Sequence, residues 1–375
     1  MTENLTIMVS ASYADSVIKF RLPLIEELIR KGFKVIILSP KPKPKDCEFL
    51  AGIGCILEEV KLDRNKIRIF SDIIYLFQLI LYLFKHKPGA LISYTAKPNI
   101  YGALAASMFA TKTITLITGL GTNFVTEKFK LSIFIYKILL KIALILSDLV
   151  ILQNNDDYDF LVGARLLSSK KHFGIVNGSG VDTNYFYMQP LPENLSFLML
   201  SRFLKSKGIV EYLEAAKLMK LEGFKGRFIL AGPNDFGSDR IARQDLLEKF
   251  GNYVEILDEV EDVRALIRNC SVYVLPSYRE GTPRSVLEAM ATGRAIVTTD
   301  VPGCKQTVIQ GENGLLVEVK NISALVAALK LLAGDVEKVK SMGRKSRELA
   351  EIKYDASIVK QQYLNFILSV MNERF

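Results

Sequence analysis

The stretch PSYREGTPRSVLEAMATG, residues 276–293, holds two glutamates eight positions apart. Glu280 stands among loop-forming residues, whereas Glu288 stands among Val286, Leu287, Ala289 and Met290. An unpaired buried carboxylate costs several kcal/mol or takes up a proton. Glu288 therefore needs donors. Ligand hydroxyls are one source, and an internal ion pair is the other, with Arg284 and Arg294 near in sequence. A second group lies in LMLSRFLKSKGIVEYLEAA. Arg202 directly follows an apolar run there, and Lys207 just precedes a helical pattern. Two cations at a strand end beside a helix N-terminus suit a pyrophosphate; solvated surface charge is the plainer alternative. Gly208 lets backbone approach a ligand closely.

Other motifs carry less chemistry. Asp157-Tyr-Asp159 in LQNNDDYDF has the form of a DxD metal clamp under a nucleotide diphosphate. It also fits an N-cap and an acidic first turn. The cap is the expectation, because Arg202 and Lys207 can neutralise a diphosphate without metal. Gly119 and Gly121 follow a strand, but the full GxGxxG is absent, so NAD binding gains no support. Gly178 and Gly180 fit a turn. The two histidines, His86 and His172, fit structural or surface roles. Cys47, Cys55, Cys270 and Cys304 show no zinc spacing. Cys270 and Cys304 are expected as buried thiols, in keeping with a reducing cytoplasm.

The elements that must position these residues follow from pattern. CSVYVLPS is β-branched and apolar, which predicts a buried strand. REGTP breaks it. Thr282 is the expected N-cap, Pro283 the first helical residue, and Gly293 the C′ residue of a helix to about Thr292. RAIVTTD begins another strand. Glu280 then lies in a loop at a strand's carboxyl end, where open α/β sheets bind ligands. The whole 375-residue chain alternates in this way. Strands are expected in LTIMVSA, KVIILSP, ALISYTA, KTITLITG, LVILQN and HFGIVNG. The series restarts with LSFLMLS, RFILAGP, YVEILDEV, SVYVLPS, AIVTTD and GLLVEV. The implied architecture is α/β: two Rossmann-like parallel-sheet domains facing a cleft. The expected division is 1–182, a linker at 183–194, 195–352, and a C-terminal helix at 353–375 that crosses back to the first domain.

Net charge is +9, compatible with anionic lipid, phosphate ligands or nucleic acid, and decides among none of them. No nucleic-acid motif is present, and no cleavable signal peptide is expected at the N-terminus. Two stretches are unusually apolar. Residues 69–85 are interrupted by Asp72 and Gln78, and residues 131–152 contain Lys137, Lys141 and Asp148. Neither forms a clean span of ~20 apolar residues. They are buried helices, or one lies in a membrane interface with its lysines at the headgroups.

The second half resembles the retaining GT-B glycosyltransferases of family GT4. PSYREGTPRSVLEAMATGRAIVTTDVPG is similar to their E-x7-E signature, SRFLKSKG to their Arg/Lys diphosphate motif, NGSGVD to their interdomain segment and GENGLLV to their late strand. In the first half, FRLPLIEELIRKGFKV, AKPNIYGALAA and TGLGTNF resemble the bacterial branch that builds O-antigens and related surface glycans, its N-acetylgalactosaminyltransferases among them. The resemblance implies that Glu280 bonds hydroxyls of a donor sugar and Glu288 the ribose of its nucleotide. Arg202 and Lys207 would then steady a departing UDP, electrostatic help worth roughly 3 kcal/mol per well-placed donor. Gly281, Thr282 and Pro283 would line the donor at the helix start. Lys97, Asn99, Gly119 and Gly121 are the candidates on the acceptor side. Two departures stand out. Ala96 occupies about the place of a family histidine, and the glycine-rich first loop is SASYADS here.

The expected reaction is retaining transfer from a UDP-sugar, UDP-GalNAc foremost, to a polyprenyl-diphosphate-linked saccharide. It is expected at the inner face of the cytoplasmic membrane, with an anionic membrane surface as partner and without metal, cofactor or nucleic acid. UDP-Gal, UDP-GlcNAc and UDP-Glc remain open as donors. A UDP-sugar 2-epimerase shares the fold, but its acid/base set is not found. A non-catalytic sugar-nucleotide-binding subunit is the other alternative.

Overall fold

The computed structural model describes residues 5–63, 69–121, 131–235 and 239–372. The chain forms two compact units, Met1–Ser179 with Val359–Phe375, and Gly180–Ile358. The first contains a seven-stranded parallel sheet: β1 (Thr6–Ser10), β2 (Lys34–Ser39), β3 (Ile56–Glu59), β4 (Ala90–Tyr94), β5 (Lys112–Ile117), β6 (Leu149–Leu152) and β7 (Phe173–Ile175). Their order is β3-β2-β1-β4-β5-β6-β7. Between them run α1 (Ala14–Arg30), α2 (Pro44–Gly52), α3 (Ile69–His86), α4 (Ala96–Ala106), α5 (Leu131–Leu146) and α6 (Asn155–Gly163).

The second unit has six parallel strands: β8 (Ser196–Leu200), β9 (Arg227–Ala231), β10 (Glu255–Leu257), β11 (Val272–Leu275), β12 (Ala295–Thr299) and β13 (Gly314–Val317). Their order is β10-β9-β8-β11-β12-β13. Its helices are α7 (Ile209–Leu221), α8 (Arg243–Phe250), α9 (Arg264–Arg268), α10 (Arg284–Ala291), α11 (Ile322–Ala333) and α12 (Val336–Leu349). A π-helical turn, Ala350–Tyr354, then leads into α13 (Ala356–Asn372). In each sheet the strand order reverses beside the first strand, between β1 and β4 and between β8 and β11. Those reversals open the crevices in which α/β sheets take ligands.

The central strands are fully buried, which is why they stand out as unbroken apolar runs. Strand β3 escapes that pattern. It is a four-residue edge strand, and its Ile56, Glu58 and Glu59 show the charge and exposure that blunt sheet edges. The stretch 183–194 is part of the second unit. Arg347 donates to the carbonyls of Thr183 (3.0 Å) and Phe186 (2.8 Å), and Arg294 to those of Gln189 (3.1 Å) and Pro190 (3.0 Å). The division between the units therefore falls at 179/180 rather than at 182/183.

Helix α13 completes the first core. Val359, Tyr363, Leu364, Ile367, Val370 and Met371 are buried among Ile7, Val9, Leu24, Ala90 and Ile114. Tyr363 donates to the Gly178 carbonyl at 2.9 Å and accepts from Arg21 at 3.0 Å.

Helices α3 and α5 are each half buried. Tyr75, Leu79 and Leu83 enter the core from α3, and Leu140, Ala143 and Leu144 from α5. Phe70 (84% exposed), Phe77 (62%), Leu81 (63%) and Phe84 (67%) of α3 face solvent. So do Leu131, Phe134, Ile135, Ile138, Ile142 and Ile145 of α5. Helix α4 packs against both α3 and α5. Complete burial of the two stretches is thereby excluded. Among the described residues no helix is long and apolar enough to cross a membrane.

Candidate active site

Three loops meet at the carboxyl edge of the second sheet. The loop after β8 carries Arg202, a 3-10 turn at Lys205–Lys207, and Gly208 in the left-handed region (φ +75°) at the start of α7. The loop after β11 runs through Glu280 to α10, and the loop after β12 contains Gly303 (φ +83°). They stack backbone on backbone. A Cβ on Gly208 would lie 2.1 Å from the Pro276 carbonyl oxygen, and one on Gly303 would lie 2.3 Å from that of Glu280. Tyr278 N–H donates to the Ser206 carbonyl (2.9 Å) and Glu280 N–H to that of Pro302 (3.1 Å). The close approach that Gly208 permits is thus to Pro276, a neighbouring loop, where the sequence pointed to a ligand.

This packing brings the charged groups together. Lys207 Nζ lies 2.5 Å from Glu280 Oε1, and Ser277 Oγ donates to the same oxygen at 2.7 Å. Both side chains of the ion pair are mostly buried, 20% and 13% exposed. Two donors on Oε1 fix the carboxylate's rotation, and among the described residues Oε2 is left as its open acceptor. An ammonium has three donors, so Lys207 keeps capacity after serving Glu280. Arg202, on the rim, places Nη1 2.5 Å from Asp235 Oδ2, and its other guanidinium donors can reach an anion. Tyr278 beside Glu280 donates to Glu211 Oε1 at 2.7 Å.

Helix α10 begins one residue later than the sequence pattern implied. Pro283 is the N-cap, with extended ψ of 110° and no cap bond from its own side chain, so Thr282 lies outside the helix. The Pro283 carbonyl accepts from Val286 N–H (3.1 Å) and Leu287 N–H (3.3 Å). At the other end Gly293 (φ +80°) is the C′ residue. Gly293 N–H donates to Met290 and Arg294 N–H to Ala289, the paired bonds of a Schellman motif. Glu288, 14% exposed, receives Arg284 Nε at 2.9 Å across one helical turn. That ion pair is one of the two partners its surroundings required. Arg294 does not serve it; its guanidinium goes to Gln189 and Pro190.

The first unit disposes of its candidates differently. Lys97 Nζ is 2.5 Å from Asp72 Oδ1 and 2.7 Å from the Asp63 carbonyl. Asn99 is 2% exposed and donates to the Leu116 carbonyl at 3.0 Å. Neither presents an open rim position. Gly119 (φ +116°) and Gly121 (φ +69°) form the turn after β5, and residues 122–124 of TGLGTNF lie outside the described residues. Asn154 caps α6, accepting from Asp157 N–H at 2.8 Å, and Asp157 is buried. Among the described residues, no three His, Cys, Asp or Glu side chains gather as a cation site. His86 bonds Glu58 at 2.8 Å, a structural pair. Burial pushes the Cys270 and Cys304 thiols up to about 12.

Sequence reasoning missed Ser277, Gly303 and Glu211. Ser277 carried a usable signal, a hydroxyl three residues before Glu280 at a strand end. The contacts of Gly303 and Glu211 join a loop and a helix to a loop far away in sequence and left no local mark.

The chain is similar to known proteins along most of its length. The model for "Glycosyl transferases group 1" matches residues 189–349, and that for "Glycosyl transferase 4-like" matches 11–154. An N,N'-diacetylbacillosaminyl-diphospho-undecaprenol alpha-1,3-N-acetylgalactosaminyltransferase of Campylobacter jejuni is 28% identical, over 93% of this chain and 94% of that one. A UDP-Gal:alpha-D-GlcNAc-diphosphoundecaprenol alpha-1,3-galactosyltransferase of Escherichia coli is 25% identical, over 73% of each chain. Among solved structures, sucrose-phosphate synthase from Thermosynechococcus elongatus superposes with a TM-score of 0.85 at 19% identity, covering 98% of this chain and 100% of its own. The fold and these matches define a glycosyltransferase of GT-B architecture. The chain belongs to the GT4 family.

Proposed function

We propose that the protein transfers a sugar, GalNAc foremost, from its UDP-sugar to a polyprenyl-diphosphate-linked saccharide, with retention of the α configuration. One observation carries the reading. Lys207 and Ser277 hold Oε1 of Glu280 while, among the described residues, Oε2 stays open, at the switch-point edge and in a loop joined to the cation-bearing turn. Such a carboxylate can accept from sugar hydroxyls. Lys207 and Arg202 can steady the diphosphate as the bond from the sugar's anomeric carbon to its phosphate oxygen breaks. The acceptor hydroxyl then attacks from the face that the diphosphate leaves, and its proton passes to the leaving phosphate. Glu288, freed from Arg284, can take the ribose hydroxyls, with Gly281, Thr282 and Pro283 at the helix start beside it. Gly119 and Gly121 remain on the proposed acceptor side, with Lys97 and Asn99, held by Asp72 and the Leu116 carbonyl, as supports behind it, and no metal is invoked.

The named activities of the two relatives, both on undecaprenol-linked substrates, support the acceptor class. The exposed apolar rows of α3 and α5, with Lys137 and Lys141 on α5, support a peripheral position on the anionic inner face of the cytoplasmic membrane. Incubation with four UDP-sugars and a set of polyprenyl-diphosphate saccharides tests the proposal. UDP release together with an elongated, α-linked lipid product is expected. Release of UDP with a 2-epimerised free sugar, or binding without turnover, would overturn it.

A further inference from the structure

The position of Glu280 depends on its backbone as well as on Lys207 and Ser277. That backbone rests on the loop after β12. Gly303 lies under the Glu280–Gly281 peptide, so close that an added Cβ would stand 2.3 Å from the Glu280 carbonyl oxygen and 2.5 Å from that of Gly281. The loop is closed by its own side chain, since Gln306 Oε1 accepts from Gly303 N–H at 2.7 Å. The Gln306 carbonyl in turn accepts from Tyr354 Oη at 2.5 Å and from Lys353 Nζ at 3.3 Å.

Tyr354 is 2% exposed, the last residue of the π-helical turn before α13, and it belongs to the second core. Its own carbonyl accepts from Val181 N–H (2.8 Å), and Val181's carbonyl accepts from Ala356 N–H (2.9 Å). Asp355 Oδ2 also accepts from Thr183 Oγ1 at 2.6 Å. The backbone passes between the two units at 179/180 and 358/359, a few residues to either side of this bridge. A π-turn inserts one residue into a helix and re-aims the side chains that follow. Here it carries the Tyr354 hydroxyl to the loop under Glu280.

We propose that Tyr354 and Gln306 are positioning residues for Glu280. They fix Gly303, and through it the Glu280–Gly281 peptide, and they tie that peptide to the chain crossover at Val181. The inference rests on the reading of Glu280 as the donor-sugar carboxylate. Neither residue touches substrate in this scheme. Their loss should therefore leave UDP affinity in place and lower the rate of transfer. A misplacement of 1 Å costs up to ~100-fold, so the loss of one supporting bond is expected at about fivefold to twentyfold.

The variants are Tyr354→Phe, Gln306→Ala and Gln306→Glu, in the full chain. Phenylalanine keeps the buried ring and removes one hydroxyl. Glutamate keeps an acceptor for Gly303 N–H, and alanine removes it. Each is measured for kcat, for KM of the UDP-sugar, for UDP affinity by calorimetry, and for amide exchange across 278–283 against β8. The expected result is a fivefold to twentyfold fall in kcat for Tyr354→Phe and Gln306→Ala at unchanged UDP affinity. Exchange at 278–283 should be faster and protection in β8 preserved, and Gln306→Glu should restore both rate and protection. Their double variant should lose less than the product of the two. Wild-type kcat and wild-type exchange at 278–283 in both variants would overturn the inference. A wild type that binds UDP but transfers nothing would sink the functional reading instead, and the exchange data would still decide the positioning claim.

Discussion

At the carboxyl edge of the second sheet the switch point is built from charge. Lys207 meets Glu280, Arg202 meets Asp235, and Tyr278 meets Glu211. At the same edge of the first sheet neutral hydroxyls predominate, beside the Lys97–Asp72 pair. Ser10 bonds Tyr75 at 2.7 Å, Ser12 bonds Thr95, and Ser16 bonds Tyr94 at 3.0 Å. Thr95 holds a positive φ of 73°, a region that costs a non-glycine residue about 1–3 kcal/mol. On the function proposed above, the contrast follows from what each edge would recognise. A nucleoside diphosphate needs fixed cations, whereas a saccharide needs an array of donors and acceptors without net charge. Charged pairs at a fixed spacing leave a signature in sequence. A hydroxyl network assembled from four elements does not.

The contrast can be broken most sharply at Lys207. Lys207→Ala and Glu280→Gln should each lower kcat by about 100-fold to 1000-fold. Because their atoms stand 2.5 Å apart, the double variant should cost much less than the product. Steady-state kinetics on folded proteins check this, and full multiplicativity would separate the two residues functionally. The first unit should respond to loss of charge in the opposite way. Lys97→Ala leaves Asp72, whose side chain is 5% exposed, without its cation, so stability should fall by about 3 kcal/mol or more. The kcat of the surviving protein should change less than about tenfold. A thermal melt beside an acceptor titration distinguishes the outcomes, since a large rise in acceptor KM with an unchanged melt would return Lys97 to the acceptor site.

A smaller effect is expected on the apolar helices. Each lysine near an anionic surface contributes ~1 kcal/mol, so Lys137→Glu with Lys141→Glu should cut pelleting with anionic liposomes at least tenfold while the fold survives. Wild type that ignores such liposomes at low salt would end the membrane reading. The smallest expected effect is that of metal removal. With Asp157 engaged at the cap of α6, transfer should be unchanged in EDTA, and rescue by added Mn²⁺ from an inactive state would overturn that.

Most of the architecture was legible because buried parallel strands are unbroken apolar runs. The twelve strands expected from pattern all form, and the charged edge strand Ile56–Glu59 is the one missed. Glu280, Lys207 and Arg202 were legible because each sits at a strand-to-helix junction. Their partners were less so. Glu288 and Arg284 pair at helical spacing, which sequence can suggest. Pro276 against Gly208, and Glu280 against Gly303, are contacts between distant loops, and a glycine in sequence does not announce what it makes room for. Lys97 was placed on the acceptor side because nothing local shows that Asp72, 25 residues away, claims it. The linker boundary failed for a similar reason. Its prolines and polar residues mark a loop, while Arg294 and Arg347, which bind its carbonyls to the second unit, lie more than 100 residues downstream.

The placement of α13 has a consequence for how this chain is born. The second unit is continuous, residues 180–358, and every residue of its core has been synthesised before α13 is made. The first unit is discontinuous, and six buried side chains of its core lie between Val359 and Met371. Domains usually fold in order of synthesis, N-terminal first. Here the ribosome delivers the first sheet early but makes α13 only after the whole second core. The first sheet therefore stays with its face for α13 uncovered until the second core has been synthesised.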